Sequence, residues 1–236
     1  MFFYYIMKWG ICFLVLCSVS SFSIPRRQLL GGAIGSSTFI DITQAKNTLN
    51  DGERQPDELG ILQESNNELF FYGPMNQRSC FELKRLLSDL DIKMLTLHHQ
   101  YKIEPPPIHL HIQSQGGSLY HTLYLMDLIE NMETDVYTYV DGFAASAATL
   151  VSVVGKKRFM TKRSLMLIHQ LSGSDSGKFN ELQDQMSNMN ILMSLIVNTY
   201  LNHTKLDRET LGQLLDKDLW LDSETCLKYG LVDEII

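Results

Sequence analysis

A strand-forming run at residues 136–140, Val-Tyr-Thr-Tyr-Val, passes through Asp141-Gly142-Phe143 into Ala144-Ala145-Ser146-Ala147-Ala148. This join restricts the fold more than any other feature of the chain. The run requires extended backbone, the small residues beyond it favour a helix, and only a sharp turn is left to connect them. Ser146 therefore falls just past the turn, at or near a helix start. A hydroxyl there is held beside a helix N-terminus and backbone N–H groups, which favour negative charge. Small side chains at 144, 145, 147 and 148 let other backbone approach closely. The same stretch also suits a tightly packed helix start with Ser146 as its cap. Local sequence does not separate the two readings, so the rest of the chain must.

Strand and helix signals alternate around this join. Residues 68–72 form an apolar-aromatic strand closed by Gly73-Pro74. A helical stripe at 83, 86, 87, 90 and 94 predicts a helix over 77–94. The prolines at 105–107 break the chain before a strand at 108–114. That strand alternates Ile108, Leu110 and Ile112 with His109, His111 and Gln113. The two histidines share a face but have no third ligand nearby, so the strand reads as a solvent-side pair rather than a metal site. Gln115-Gly116-Gly117-Ser118 follows directly, and paired glycines permit positive φ and close backbone approach. A helix marked by Leu119, Leu123, Met126, Ile129 and Met132 comes next. The strand–Gly-Gly–helix unit lacks the Gly-Lys-Ser/Thr of a phosphate-binding loop, which argues against a nucleotide.

Strands are expected at 156–160 and 165–168, the second delivering His169 into a Gly/Ser loop. Phe179, Leu182, Met186, Met189, Met193, Ile196 and Tyr200 step alternately by three and four. They define one long helix with an apolar seam. Spacing alone leaves open whether that helix is buried on its own domain or reaches another subunit. A helix over 207–216 capped by Asp207, a strand at 218–221, a helix from 222 ending at Gly230, and a strand at 231–236 complete the chain.

The chain of 236 residues is 44% hydrophobic with a net charge of −7. This composition suits one globular domain plus a leader. Up to residue 45 only Lys8, Arg26, Arg27 and Asp41 are charged, so the acidic excess belongs to the remainder, which carries no basic cluster of the kind nucleic acid requires. Cys80 and Cys226, the cysteines beyond the leader, are too few for a disulfide framework. Residues 1–23 have an early lysine, an apolar run at 10–17 and then small residues, the pattern of a signal peptide. The run is short of the ~20 residues of a spanning helix. Residues 19–25 resemble the Phe-centred junction of bipartite presequences that direct proteins to plastids of secondary-endosymbiotic algae. Arg26-Arg27 before a weakly apolar Gly/Ala/Ser stretch resembles a twin-arginine signal. The expected location is a plastid, in the stroma or, through that signal, the thylakoid lumen, with the secretory pathway as the alternative. Asn202-His203-Thr204 is a glycosylation sequon, read as unused. The expected division is a leader at 1–45, a polar arm at 46–67 and a domain at 68–236.

Ser146, His169 and Asp218 occur in that order, each at an element boundary. Acyl transfer needs such a set: serine attacks a carbonyl, histidine takes its proton and passes it to the leaving amine, and a carboxylate orients the histidine. Backbone N–H groups must face the developing oxyanion. Four segments in order resemble the proteolytic subunit of the ATP-dependent Clp protease, ClpP. Gln113-Ser114-Gln115-Gly116-Gly117-Ser118 is similar to Asn-Ser-Pro-Gly-Gly, and Gly142-Phe143-Ala144-Ala145-Ser146 to Gly-Gln-Ala-Ala-Ser. Met166-Leu167-Ile168-His169-Gln170 is similar to Met-Ile-His-Gln. Lys217-Asp218-Leu219-Trp220, followed by Tyr229-Gly230-Leu231-Val232-Asp233, is similar to Arg-Asp-Arg-Phe and Tyr-Gly-Leu-Val-Asp.

The resemblance implies an α/β, crotonase-like fold of ββα repeats with a protruding handle helix. It implies Ser146 as nucleophile, His169 as base, Asp218 as orienting acid, and the N–H groups of Gly117 and Ala147 as oxyanion donors. It further implies paired heptameric rings, homomeric or mixed, an AAA+ Clp unfoldase as partner, unfolded polypeptide as substrate, and no cofactor or metal on this chain. The sequence departs from the family's pattern at Gln115, Phe143, Ala147-Ala148-Thr149 and Leu171-Ser172, and residues 46–67 lack its N-terminal segment. Two other functions are compatible: a ring subunit with a structural or gating role, and a crotonase-type acyl-CoA enzyme. Retention of all three triad residue types favours the peptidase.

Overall fold

The computed structural model describes residues 60–236. The expected leader and residues 46–59 of the expected arm lie outside them. The last part of that arm is a strand rather than a polar linker. β1 (Ile61–Ser65) pairs antiparallel with β2 (Glu68–Tyr72), with Ser65 opposite Glu68. The two-residue connection, Asn66-Asn67, places Asn66 at φ 59°, a left-handed conformation that asparagine tolerates.

α1 (Gln77–Tyr101) begins at Asn76, whose side chain accepts the Ser79 N–H at 2.9 Å while Ser79 Oγ accepts the Asn76 N–H at 3.0 Å. It runs about two turns beyond residue 94. Leu97 extends the inward stripe there, and the polar residues Thr96 and His99 stay on the solvent side. Lys102, in the left-handed region, closes it. β3 (Ile108–Ser114) buries Ile108, Leu110 and Ile112 on one face, as its alternation predicts. α2 (Leu119–Asn131), β4 (Val136–Ala145), α3 (Ala147–Val153), β5 (Lys157–Met160) and β6 (Leu165–Leu167) follow. α4 (Phe179–His203), α5 (Arg208–Leu215), β7 (Trp220–Leu221), α6 (Ser223–Tyr229) and β8 (Glu234–Ile235) end the chain.

The main sheet runs β1-β2-β3-β4-β5-β8, with β6 added to β4 and β7 to β6. All pairs are parallel except β1/β2 and β6/β7. β4 is longer than the expected strand because it changes partners along its length. Residues Tyr137 to Val140 pair with β5, whereas Phe143 to Ala145 pair with β6. The change occurs at Gly142, whose φ of 82° only glycine takes without strain and whose N–H donates to Ser164 Oγ at 2.7 Å. Ser164 Oγ in turn donates to the Val140 carbonyl at 3.0 Å, tying the two halves of the strand together.

The core lies between one sheet face and the helices α1, α2 and α3, with Leu69, Leu83, Leu87, Leu110 and Ala148 all fully buried. The other sheet face carries rings. Phe70, His111, Tyr139 and Phe159 stack in succession across four strands at centroid distances of 4.6–4.7 Å. The histidine pair is therefore half-buried rather than plainly solvent-side. His109 Nδ1 meets the Tyr139 hydroxyl at 2.7 Å, and His111 Nδ1 meets Asp141 at 2.7 Å. Among the described residues no cluster of three His, Cys, Asp or Glu side chains is arranged to hold a metal ion.

α4 resolves the choice its seam left open. Its C-terminal half docks through buried Ile196 and Tyr200. Its N-terminal half projects, leaving Phe179 78% and Met186 61% exposed. The helix therefore has the protruding form that the resemblance implies.

Candidate active site

The end of β4 and the start of α3 share no spare residue. Ala145 is the last strand residue, Ala147 the first helical one, and Ser146 between them has φ 55° and ψ −128°. A residue with a Cβ is disfavoured there, by about 1–3 kcal/mol. The conformation is held from both sides. The Ser146 N–H donates to the Leu167 carbonyl at 2.8 Å. The Ser146 carbonyl accepts both the Thr149 N–H at 3.0 Å and the Thr149 hydroxyl at 2.6 Å. Ser146 makes no side-chain cap bond, so the cap reading of this residue fails. Its hydroxyl instead borders a cavity of about 340 Å³.

The glycine pair after β3 packs against this elbow. A Cβ on Gly116 would lie 2.6 Å from the Ala145 carbonyl oxygen and 2.8 Å from Ser146 Cβ, so only glycine fits. Gly117, at φ 148°, bridges Met75. The bridge joins the Met75 N–H to the Gly116 carbonyl at 2.8 Å and the Ser118 N–H to the Met75 carbonyl at 2.7 Å. It leaves the Gly117 N–H outside the ladder. The Ala147 N–H opens a helix and has no intrahelical acceptor. Gly117 and Ala147 both line the cavity, so two uncommitted backbone donors flank Ser146.

β6 delivers His169, half-buried, to the same cavity. The next residue fixes that exit: the Gln170 N–H donates to the Leu215 carbonyl at the end of α5, at 2.9 Å. His169 Nδ1 is 2.7 Å from the Gln170 carbonyl oxygen. Asp218 is exposed, does not line the cavity, and makes no side-chain hydrogen bond among the described residues. Met166 pairs with Leu221 and Leu167 with Trp220 in the antiparallel β6/β7 ladder, which ends before His169 and Asp218. Among the described residues the structure gathers Ser146, His169, Gly117 and Ala147 around one cavity and leaves the Asp218 side chain outside its lining.

Leu150 and Leu171, with Met189, Leu192 and Ile196 of α4, give the cavity an apolar wall. Met189 and Ile196 carry no sequence signal beyond the helical seam, and the bond from Thr149 to the Ser146 carbonyl has none beyond an i+3 spacing. Cys80 and Cys226 are buried free thiols with no part in the site.

Comparison with known proteins identifies the family and the fold. The Clp protease family model matches residues 82–236. The ATP-dependent Clp protease proteolytic subunit 1 of Rhodopirellula baltica is 29% identical over 180 residues, 75% of either chain. The ATP-dependent Clp protease proteolytic subunit of Streptococcus mutans is 33% identical over 138 residues, 55% of this chain and 68% of that one. That of Nephroselmis olivacea is 32% identical over 131 residues, 55% of this chain and 63% of that one. Among solved structures, a ClpP1 point mutant from Listeria monocytogenes superposes with a TM-score of 0.59 at 25% identity, covering 72% of this chain and 91% of that one. The crotonase-like α/β fold implied by the four sequence segments is therefore the fold present, and the chain belongs to the Clp protease family.

Proposed function

We propose that this chain is a serine-type endopeptidase subunit of a Clp complex, cleaving peptide bonds of unfolded polypeptides with Ser146 as nucleophile. The observation that carries the reading is the strained elbow at Ser146, opening on a cavity shared with His169 and with the N–H groups of Gly117 and Ala147. Strain of this kind persists only where surrounding structure enforces it, and it concentrates at functional residues.

The Ser146 hydroxyl adds to the substrate carbonyl as its proton passes to His169 Nε2. The carbonyl oxygen becomes an oxyanion, and the N–H groups of Gly117 and Ala147 donate to it. Collapse breaks the C–N bond, and His169 returns the proton to the departing amine. Water then adds to the acyl-serine, giving its proton to His169. The acid leaves, and Ser146 regains its hydrogen. Asp218 orients the imidazole by accepting from Nδ1–H, which requires His169 to exchange the Gln170 carbonyl for the Asp218 carboxylate. The apolar wall favours a hydrophobic side chain beside the scissile bond.

The chain works as a ring-forming subunit, in heptameric rings stacked in pairs through the projecting half of α4, with an AAA+ Clp unfoldase supplying substrate. That half-helix leaves apolar side chains facing solvent in the single chain, which supports a partner for them. Residues 1–45 direct the protein to a plastid.

The unengaged Asp218 favours one other reading, a ring subunit that assembles without cleaving. A fluorophosphonate probe applied to the assembled protein decides between them. Labelling that vanishes in Ser146→Ala is the expected result. Absence of labelling in an intact ring would assign the chain to scaffolding.

A further inference from the structure

The carbonyl of Ser146 and the N–H of Ala147 belong to one peptide unit. That unit is planar, so fixing the oxygen on one side fixes the direction of the N–H on the other. The groups holding this oxygen therefore decide where a proposed oxyanion donor points.

Thr149 Oγ1 lies 2.6 Å from the Ser146 carbonyl oxygen and 2.6 Å from the Tyr200 hydroxyl. The direction of the chain follows from proton counting. A carbonyl only accepts, so the single Thr149 hydroxyl proton goes to Ser146, and Thr149 accepts from Tyr200. Thr149 is fully buried and Tyr200 is 1% exposed, so water does not substitute for either partner. Burial also raises the Tyr200 pKa well above the usual phenol value, which keeps the hydroxyl protonated and donating. Tyr200 sits in the docked end of α4, whose other half projects from the domain. Two hydroxyls thus link the Ser146–Ala147 peptide to the base of that helix.

We infer that Thr149 and Tyr200 are positioning residues, holding the Ser146–Ala147 peptide so that the Ala147 N–H faces the reacting carbonyl oxygen. The inference rests on the serine-peptidase reading and extends it to two residues that act through the Ser146–Ala147 peptide, of which Tyr200 also lines the cavity. Thr149 belongs to the stretch Ala147-Ala148-Thr149, which departs from the pattern of the resembled family. Because Tyr200 is carried by α4, a shift of that helix at its docked end would turn the donor.

The test uses the full assembled chain and four variants: Thr149→Val, Thr149→Ser, Tyr200→Phe, and Thr149→Val with Tyr200→Phe. The first readout is the second-order rate of Ser146 labelling by a fluorophosphonate, whose phosphoryl oxygen occupies the oxyanion position. In that reaction the Ser146 oxygen bonds to phosphorus, fluoride leaves, and the hydroxyl proton passes to His169. Thr149→Val should slow labelling by about tenfold, less than the 10²–10³ of deleting a donor because the N–H is misdirected rather than removed. Thr149→Ser should restore the rate. Tyr200→Phe should slow labelling by less than Thr149→Val, and the double variant should match Thr149→Val, since Tyr200 acts through Thr149. The second readout is amide hydrogen exchange over residues 143–151, which should speed up in Thr149→Val without a change in the rest of the domain. Unchanged exchange, labelling within twofold of wild type, or failure of Thr149→Ser to rescue would overturn the inference. Unlabelled wild type with faster exchange in Thr149→Val would reject the serine chemistry while supporting the hold on the peptide.

Discussion

His169 Nδ1 is 2.7 Å from the carbonyl oxygen of Gln170, the residue that follows it in sequence, while the Asp218 carboxylate makes no hydrogen bond among the described residues. The imidazole is thus engaged by its own backbone and not by Asp218. In the proposed mechanism Asp218 adds nothing to stability in this arrangement and orients the imidazole once the ring turns. Asp218→Ala should lower kcat for a peptide substrate by about 10³-fold or more. Its thermal midpoint should stay at the wild-type value, because an exposed, unbonded side chain is lost without penalty. A large fall in the midpoint with normal turnover would reverse the assignment.

Gly117 is the tightest backbone approach near the site. An added Cβ would lie 2.3 Å from the Met75 carbonyl oxygen and would have to take φ 148°. Gly117→Ala should shift the loop away from Ser146, lowering stability by about 1–3 kcal/mol and slowing probe labelling at least tenfold. Gly212, with nothing within 4 Å of its Cβ position, is the control. Gly212→Ala should leave labelling unchanged and raise stability slightly, as alanine does in a helix.

The ring-stacked sheet face should make stability depend on pH. Burial lowers the His109 pKa; Glu68 opposes this and His111 adds to it, with a net depression below 6.5. A histidine whose folded-state pKa is depressed stabilises the fold above its unfolded value and loses that contribution as pH falls through the folded one. The thermal midpoint should therefore drop between about pH 6.5 and more acidic solution. His109→Gln should flatten that part of the profile; an unchanged profile would place the sensitivity elsewhere.

The projecting half of α4 should govern assembly and not folding. Met186 and Ile191 are 61% and 63% exposed, so a charge at either position is tolerated in the single chain. Met186→Glu with Ile191→Glu should keep the circular dichroism spectrum and shift the particle to a smaller mass by light scattering. An unchanged mass would mean that this half of α4 does not join copies of the chain.

The local signals were legible wherever a residue's own chemistry sets its structure. Asp207 and Asp222 cap their helices by accepting the N–H groups of Thr210 and Thr225, and Gly230 ends α6 at φ 68°. A sharp strand-to-helix turn near Ser146 was legible too, but not its place: the turn is expected before Ser146, whereas β4 runs to Ala145 and Ser146 is itself the turn. β1 was missed, although Asn66-Asn67 between two five-residue segments was available as a hairpin turn; five polar-leaning residues form a strand only because β2 supplies the partner. The length of β4 was missed because its last three residues are extended through pairing with β6, a segment twenty residues further along the chain, and with Ser114 of β3.

The amino-acid order alone determined the alternation of elements, a sharp turn between strand and helix near Ser146, and a glycine pair that lets backbone approach closely. These follow from backbone sterics and periodicity, which act over a few residues. Only the tertiary structure decided that His169 shares a cavity with Ser146, that the Asp218 side chain lies outside that cavity's lining, that half of α4 projects, and that Tyr200 reaches Thr149 from 51 positions away. Those outcomes depend on sheet register and helix docking, where the energy comes from surfaces meeting across the fold, and no short stretch of sequence carries that information.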